Sequence, residues 1–154
     1  MVSCRDKADT KLMTGELYFS FLRIGNYYNQ PDSIVQFYEN YFETTDFDKV
    51  NENDRKLWAQ YKKLKDLDLL YKPFVDISLK EDSVVRLYLD ASEYDKIKIY
   101  KRHKLQEDKK KVKIECNVNK IDQGLYYCVD LLSVDVVDGE TLQRQRKLKI
   151  EDYN

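Results

Sequence analysis

Any chemistry in this chain must come from a short inventory of side chains. Its one histidine, His103, stands in Lys101-Arg102-His103-Lys104 and reads as a surface residue among cations rather than a general base. A single histidine builds no His-Glu-x-x-His helix, and Cys4, Cys116 and Cys128 are too far apart for a Cys-x-x-Cys zinc knuckle. The chain has no Gly-x-Ser-x-Gly elbow, no phosphate-cradling Gly-x-x-x-x-Gly-Lys loop and no Gly-x-Gly-x-x-Gly turn. Its four glycines, Gly15, Gly25, Gly124 and Gly139, are each expected at a turn. Asp46-Phe47-Asp48 lacks the glycine and terminal glutamate of a calcium loop. Carboxylates are plentiful, and glycoside hydrolysis needs two of them facing each other across a cleft. Asp76, Asp90, Asp130 and Asp135, in or beside apolar strands, are the candidates. Alternation onto a solvated strand face explains each position and is the preferred reading. The expectation is a protein with no catalytic residues, no metal and no cofactor.

Binding has more to work with. Residues 96–113 hold nine Lys and Arg, with Lys101, Arg102 and Lys104 as the densest patch for an anionic partner. Tyr94 and Tyr100 interleave with these cations, as on an OB-like strand surface for single-stranded nucleic acid. Two features point the other way. Lys111 and Lys113 alternate with Val112 and Ile114, as the outer face of a strand does, and edge lysines discourage strand addition. The whole chain balances 27 Lys and Arg against 28 Asp and Glu, for a net charge of -1. That balance weakens electrostatic capture, so nucleic acid is not the expected partner. Tyr27 and Tyr28 lie in a loop of turn residues ending at Pro31, where an exposed ring would suit contact with a protein or a glycan. Packing of one or both rings back over a sheet edge is the other arrangement.

The elements that must position these residues follow from periodicity. The aromatic run from Gly15 to Ile24 predicts a first strand. Asp32-Ser33 offers a helix cap, and Ile34, Phe37, Tyr38, Tyr41 and Phe42 give one apolar face ending near Thr44. Asn51 or Asn53 caps a second helix, whose stripe is Leu57, Trp58, Tyr61, Leu64, Leu67 and Leu70. After Pro73 the period becomes two. Strands are expected over 74–79 and 84–89, one helical turn capped by Ser92, an extended stretch over 97–105, and a hairpin of 111–118 with 125–137. Asp138-Gly139 signals a further turn leading to an element over 142–150. The fold class is therefore α+β: a mostly antiparallel meander with two amphipathic helices inserted after the first strand. Residues 1–13 read as a flexible tether and 14–154 as one domain. The 13 Tyr, 6 Phe and 1 Trp supply apolar area for a core despite the high charge content.

Cys116 and Cys128 flank the hairpin turn. Pairing them opposite each other would place Ile114 against Asp130. A slip of one residue instead sets Val118 against Leu125, Cys116 against Tyr127, Ile114 against Val129 and Val112 against Leu131. The second register is more apolar and predicts two free, buried thiols, with a disulfide as the alternative in an oxidising compartment.

The chain begins Met1-Val2-Ser3-Cys4, followed by the polar stretch Arg5-Asp6-Lys7-Ala8-Asp9-Thr10-Lys11. Val2-Ser3-Cys4 resembles the end of a bacterial lipobox, as found in the class of small bacterial lipoproteins, although no charged or apolar signal segment precedes it. The resemblance implies acylation of Cys4 and a place at the outer membrane or in the periplasm, touching the membrane through the lipid alone. The expected function is a non-enzymatic, lipid-anchored envelope protein that binds a protein or a glycan. The alternative is a cytoplasmic interaction module, either immunity-type or an OB-like binder of single-stranded nucleic acid.

Overall fold

The computed structural model describes residues 10–19, 26–80 and 83–139. In chain order the elements are β1 (Lys11–Tyr18), α1 (Asp32–Thr44), α2 (Glu52–Asp66), β2 (Phe74–Ser78), β3 (Val84–Tyr88), α3 (Ala91–Ile97), α4 (Arg102–Asp108), β4 (Lys110–Asp122) and β5 (Leu125–Asp138). They form two compact units. Phe21–Pro73 is one; Met1–Ser20 with Phe74–Asn154 is the other. The helical unit is thus an insertion between the first two strands of the β-rich unit. No shift in composition marks its borders, which is why the sequence reads as one domain.

The α+β class holds, but the strands close into a five-stranded barrel rather than lying open as a meander. Their order is β1-β2-β3-β5-β4, with β4 returning to pair with β1. Every neighbouring pair is antiparallel except β3 and β5, where Arg86, Leu87 and Tyr88 lie beside Leu125, Tyr126 and Tyr127. A parallel pair needs a long crossover, and α3, α4 and β4 provide it. Closure leaves the sheet no free edge along its length. β4 serves two neighbours by bending: its pairing with β5 shifts register between Glu115 and Cys116, between Asn117 and Val118, and between Lys120 and Asp122.

Alternation then sorts the side chains. Met13, Leu17, Val75, Ile77, Val85, Leu87, Val112, Ile114, Val118 and both barrel cysteines point inward and form one buried cluster. Ile97 of α3 and Leu105 of α4 join it. β1 begins at Lys11 and buries Met13, so the barrel starts inside the stretch read as a tether, and Gly15 sits in mid-strand rather than at a turn.

The cap of α3 is Asp90, not Ser92, in a capping box with Glu93. The Glu93 carboxylate also accepts from the Leu131 N–H at 3.2 Å and from the Cys128 thiol at 3.6 Å, so this cap fastens the helix to β5. Residues 97–105 are not extended. A turn leads into α4, which ends at Lys109 with φ of 52°.

The β4–β5 hairpin turns over Gln123-Gly124, with Gly124 in the left-handed region at φ 72°. Neither register read from the sequence is the one formed. Val118 faces Cys128, Cys116 faces Leu131, Ile114 faces Val134 and Val112 faces Val136. The position of the turn accounts for most of the difference: with Asp122 opposite Leu125, each β4 residue meets one further along β5 than in either reading, and the bulges then shift the register again. Cys116 and Cys128 are both free and buried. The hydrogen bond to Cys116, burial and the nearby Glu93 carboxylate all push the Cys128 thiol up, which keeps it protonated and unreactive. The expected element over 142–150 lies outside the described residues.

In the helical unit, α2 starts where the sequence places it, with the Asn51 side chain accepting from the Asp54 N–H at 2.9 Å. The core of this unit is aromatic. Phe42 stacks on Tyr61 at 4.3 Å, Phe47 stacks on Trp58 at 5.1 Å, and Lys62 lies over the Trp58 ring.

Candidate functional site

Tyr27 is buried, which removes it as a contact residue. Its ring meets Tyr71 edge-on at 5.5 Å and Tyr61 at 6.4 Å, and its N–H donates to the Leu70 carbonyl at 2.6 Å. Asn26 holds the loop in place: its amide donates to the Lys72 carbonyl and its Oδ1 accepts from the Tyr28 N–H. Tyr28 is half-buried. The loop is therefore a clasp over α2 and the segment after it, because a ring this large contributes most where neighbouring rings, here Tyr61 and Tyr71, can exclude water.

Burial pushes the Tyr27 phenol up, and burial also raises Tyr88 against the opposing pull of Arg86. A raised phenol stays protonated in the folded chain while the same group ionises in the unfolded chain near pH 10. Its contribution to stability is whole below that pH and is lost as pH rises above it. Thermal midpoints should therefore be flat from about pH 7 to about pH 9 and fall beyond about pH 10. Tyr27→Phe should make the alkaline fall shallower. An unchanged alkaline slope in that variant would remove Tyr27 as its source.

The aromatic surface lies elsewhere, on α1. Ile34, Phe37, Tyr38 and Tyr41 are 41%, 67%, 47% and 37% exposed, while Val35 and Phe42 are the buried residues of the helix. The 3-4 spacing of the first four does form one stripe, but that stripe faces out. Phe37 and Tyr38 meet edge-on at 5.5 Å. Tyr41 touches Phe42 and Phe47 edge-on, which ties the outer stripe to the aromatic core beneath it. Exposed Tyr71 extends the patch and donates to the Glu39 carboxylate at 3.2 Å. The helix carries Asp32, Glu39 and Glu43 and no cation at all. One signal for the outward stripe was present in the sequence: Val35 and Phe42, seven apart, mark a second and narrower apolar side.

The basic patch is split. Lys101 and Lys104 are exposed, with Lys104 paired to Asp108 at 3.6 Å along α4, whereas Arg102 is half-buried. Cys4 lies outside the described residues. The four candidate carboxylates do not form a facing pair in the described contacts. Asp76 pairs with Arg86 at 3.8 Å, with both side chains little exposed. Asp90 caps α3 and accepts from the Tyr127 hydroxyl. Asp130 and Asp135 stand on β5 opposite Asn117 and Lys113. Among the described residues, no group of three His, Cys, Asp or Glu is placed to hold a metal ion, and no helix is long and apolar enough to cross a membrane.

What these surfaces can do is bind: a flat aromatic stripe with acidic flanks on one unit, and exposed lysines at α4 on the other. Compared with protein-family models, with curated proteins and with solved structures, the chain matches none of them.

Proposed function

We propose that this chain is a non-enzymatic binding module, held at the cell envelope by acyl chains on Cys4, that docks a protein partner on the aromatic face of α1. The observation that carries this reading is the exposed stripe of Ile34, Phe37, Tyr38 and Tyr41, continued by Tyr71. Contiguous exposed aromatics are costly to leave in water, and anchors at i, i+3, i+4 and i+7 are the pattern of helix-mediated recognition. Asp32 and Glu39, on a helix with no cation of its own, favour a partner whose apolar patch has a basic fringe, whereas Glu43 is already paired with Lys65 of α2 at 3.5 Å. The tether rests on Val2-Ser3-Cys4 alone.

The alternative of a single-stranded nucleic-acid binder draws support from the barrel, since OB-like folds are closed five-stranded barrels. Such barrels read their ligand on the outer face of strands two and three. Here Phe74 and Tyr88 on that face are buried, and the Arg86 guanidinium is engaged by Asp76 and by the Phe74 ring at 4.0 Å. The stacking platform a strand of bases needs is not offered, so the protein-docking reading is preferred.

The test combines fractionation with site-specific crosslinking in the native host. Wild-type protein should sediment with membranes, and Cys4→Ala should release it. A photoreactive side chain at position 37 should give a protease-sensitive adduct, whereas one at exposed position 56 on α2 should not. Soluble wild-type protein would overturn the tether. Equal adducts at both positions, or an adduct removed by glycosidase rather than protease, would overturn docking of a protein on α1.

A further inference from the structure

The β-rich unit carries a second surface feature, independent of α1. A hollow of about 410 Å³ opens beside α4. Its floor is apolar, formed by Ile99, Tyr100, Leu105 and Val136. Leu105 is anchored in the barrel core, while Ile99 and Val136 remain 62% and 45% exposed. The rim carries three cations, Lys101, Lys104 and Lys110, beside the His103 imidazole, with Asp108 as the one carboxylate of the lining.

Two of the rim cations are committed. Lys104 is paired with Asp108 at 3.6 Å, and Lys110 is paired with Asp138 across the β4–β5 ladder. Lys101 and His103 hold no partner among the described residues. Among the described residues, the hollow therefore joins an uncovered apolar floor to two nitrogen donors without a side-chain partner. Its volume falls within the range of about 300–1,000 Å³ common for small-molecule sites.

This combination selects by chemistry. A cation would be repelled by the rim. A neutral apolar molecule would cover the floor and leave the donors unused. An inorganic anion would meet the donors and leave Ile99 and Val136 in water. An amphipathic anion satisfies both parts at once, since a charged acceptor strengthens each hydrogen bond while its apolar body leaves water.

We propose that the hollow between the α3–α4 connection, α4 and the ends of β4 and β5 is a binding site for a small amphipathic anion, a medium-chain acyl carboxylate being the type that fits. The carboxylate lies between Lys101 and His103, and the chain lies over Ile99, Leu105 and Val136. The site does not depend on docking at α1, and the two readings stand or fall apart.

Backbone amide shifts followed by NMR during titration with decanoate, below its micelle concentration, test this. Shifts should be saturable and confined to residues 99–110 and 134–138. Decanol and decyltrimethylammonium should bind at least about tenfold more weakly, the equivalent of losing one charge-assisted contact. Lys101→Glu should weaken decanoate by about tenfold, and Ile99→Asp by a similar factor, with the spectrum of the folded chain retained. Lys56→Glu, on the other unit, should leave the affinity unchanged. Equal affinity for decanol and decanoate would overturn the role of the rim. Shifts centred on α1, or no shifts, would overturn the site. A response to anionic phospholipid vesicles without one to decanoate would assign the hollow to a membrane surface and overturn the small-molecule reading.

Discussion

Gly15→Ala should destabilise the barrel by about 3 kcal/mol and lower its thermal midpoint by about 10 °C. Gly15 sits in β1 with Ile114 of β4 as its ladder partner, and β2 runs along the other side of the strand. A Cβ added there would stand 2.3 Å from the Ile77 side chain, 2.8 Å from the Ser78 carbonyl oxygen and 3.2 Å from Leu79. Ile77 is fully packed within the core, and a backbone carbonyl cannot rotate away as a side-chain tip can. Strands β1 and β2 would have to part. That movement cannot stay local, because β1 also closes the barrel against β4. Gly15→Val, with two more methyl groups, should fail to accumulate as folded protein, given total stabilities of about 5–15 kcal/mol. Thermal and urea unfolding of the alanine variant provide the measurement. A midpoint within about 2 °C of wild type would mean that β1 and β2 approach less closely than their register implies.

Tyr27→Ala and Phe37→Ser should behave in opposite ways. Tyr27 is 5% exposed and Phe37 is 67% exposed, and this contrast decides both outcomes. Removing the Tyr27 ring leaves a cavity against Tyr61 and Tyr71 and should cost about 4 kcal/mol, as for other buried aromatics. Tyr71 would lose its edge-on neighbour, so the damage would extend to the rim of the aromatic patch. Phe37→Ser removes a ring that already stands in water, and its stability should stay within about 0.5 kcal/mol of wild type. The same change should lower partner capture at α1 by about thirtyfold or more, the usual loss when a central aromatic anchor is truncated. Unfolding curves and crosslinking yields on the two variants separate the effects. A Tyr27→Ala protein with normal stability but lost partner binding would return Tyr27 to the contact role that its loop position suggests.

Much of the local structure was legible in the sequence. The Asn51 cap, the α2 stripe, the switch to period two after Pro73 and the long 111–137 hairpin are each written within a few neighbouring residues. Helix capping and alternation depend on contacts between residues close along the chain, so spacing is enough to find them. The same holds for what is absent. One histidine and four glycines exclude the common zinc, elbow and phosphate-loop constellations wherever the chain runs.

The binding surfaces were legible only as composition. Ile34, Phe37, Tyr38 and Tyr41 were recognisable as one stripe, but a stripe is only a direction on a helix, and whether it meets a core depends on residues far along the chain. In α1, Phe42 stacks on Tyr61 and so commits the side flanking the stripe to the interior. The hollow at α4 was invisible for the same reason, since Val136 reaches Ile99 and Leu105 only once the barrel has closed.

The sequence by itself determined the mixed α+β class, the positions of most helices and strands, and a chain whose charges nearly cancel while its tyrosines supply the apolar area. The tertiary structure alone decided that five strands close into a barrel, that Gly15 lies where two strands nearly touch, and that Tyr27 is buried while Phe37 is not. The division has one physical cause. Propensity, capping and alternation act over a few residues, whereas closure, register across bulges and the choice of buried face arise from contacts between segments that meet only in the folded chain.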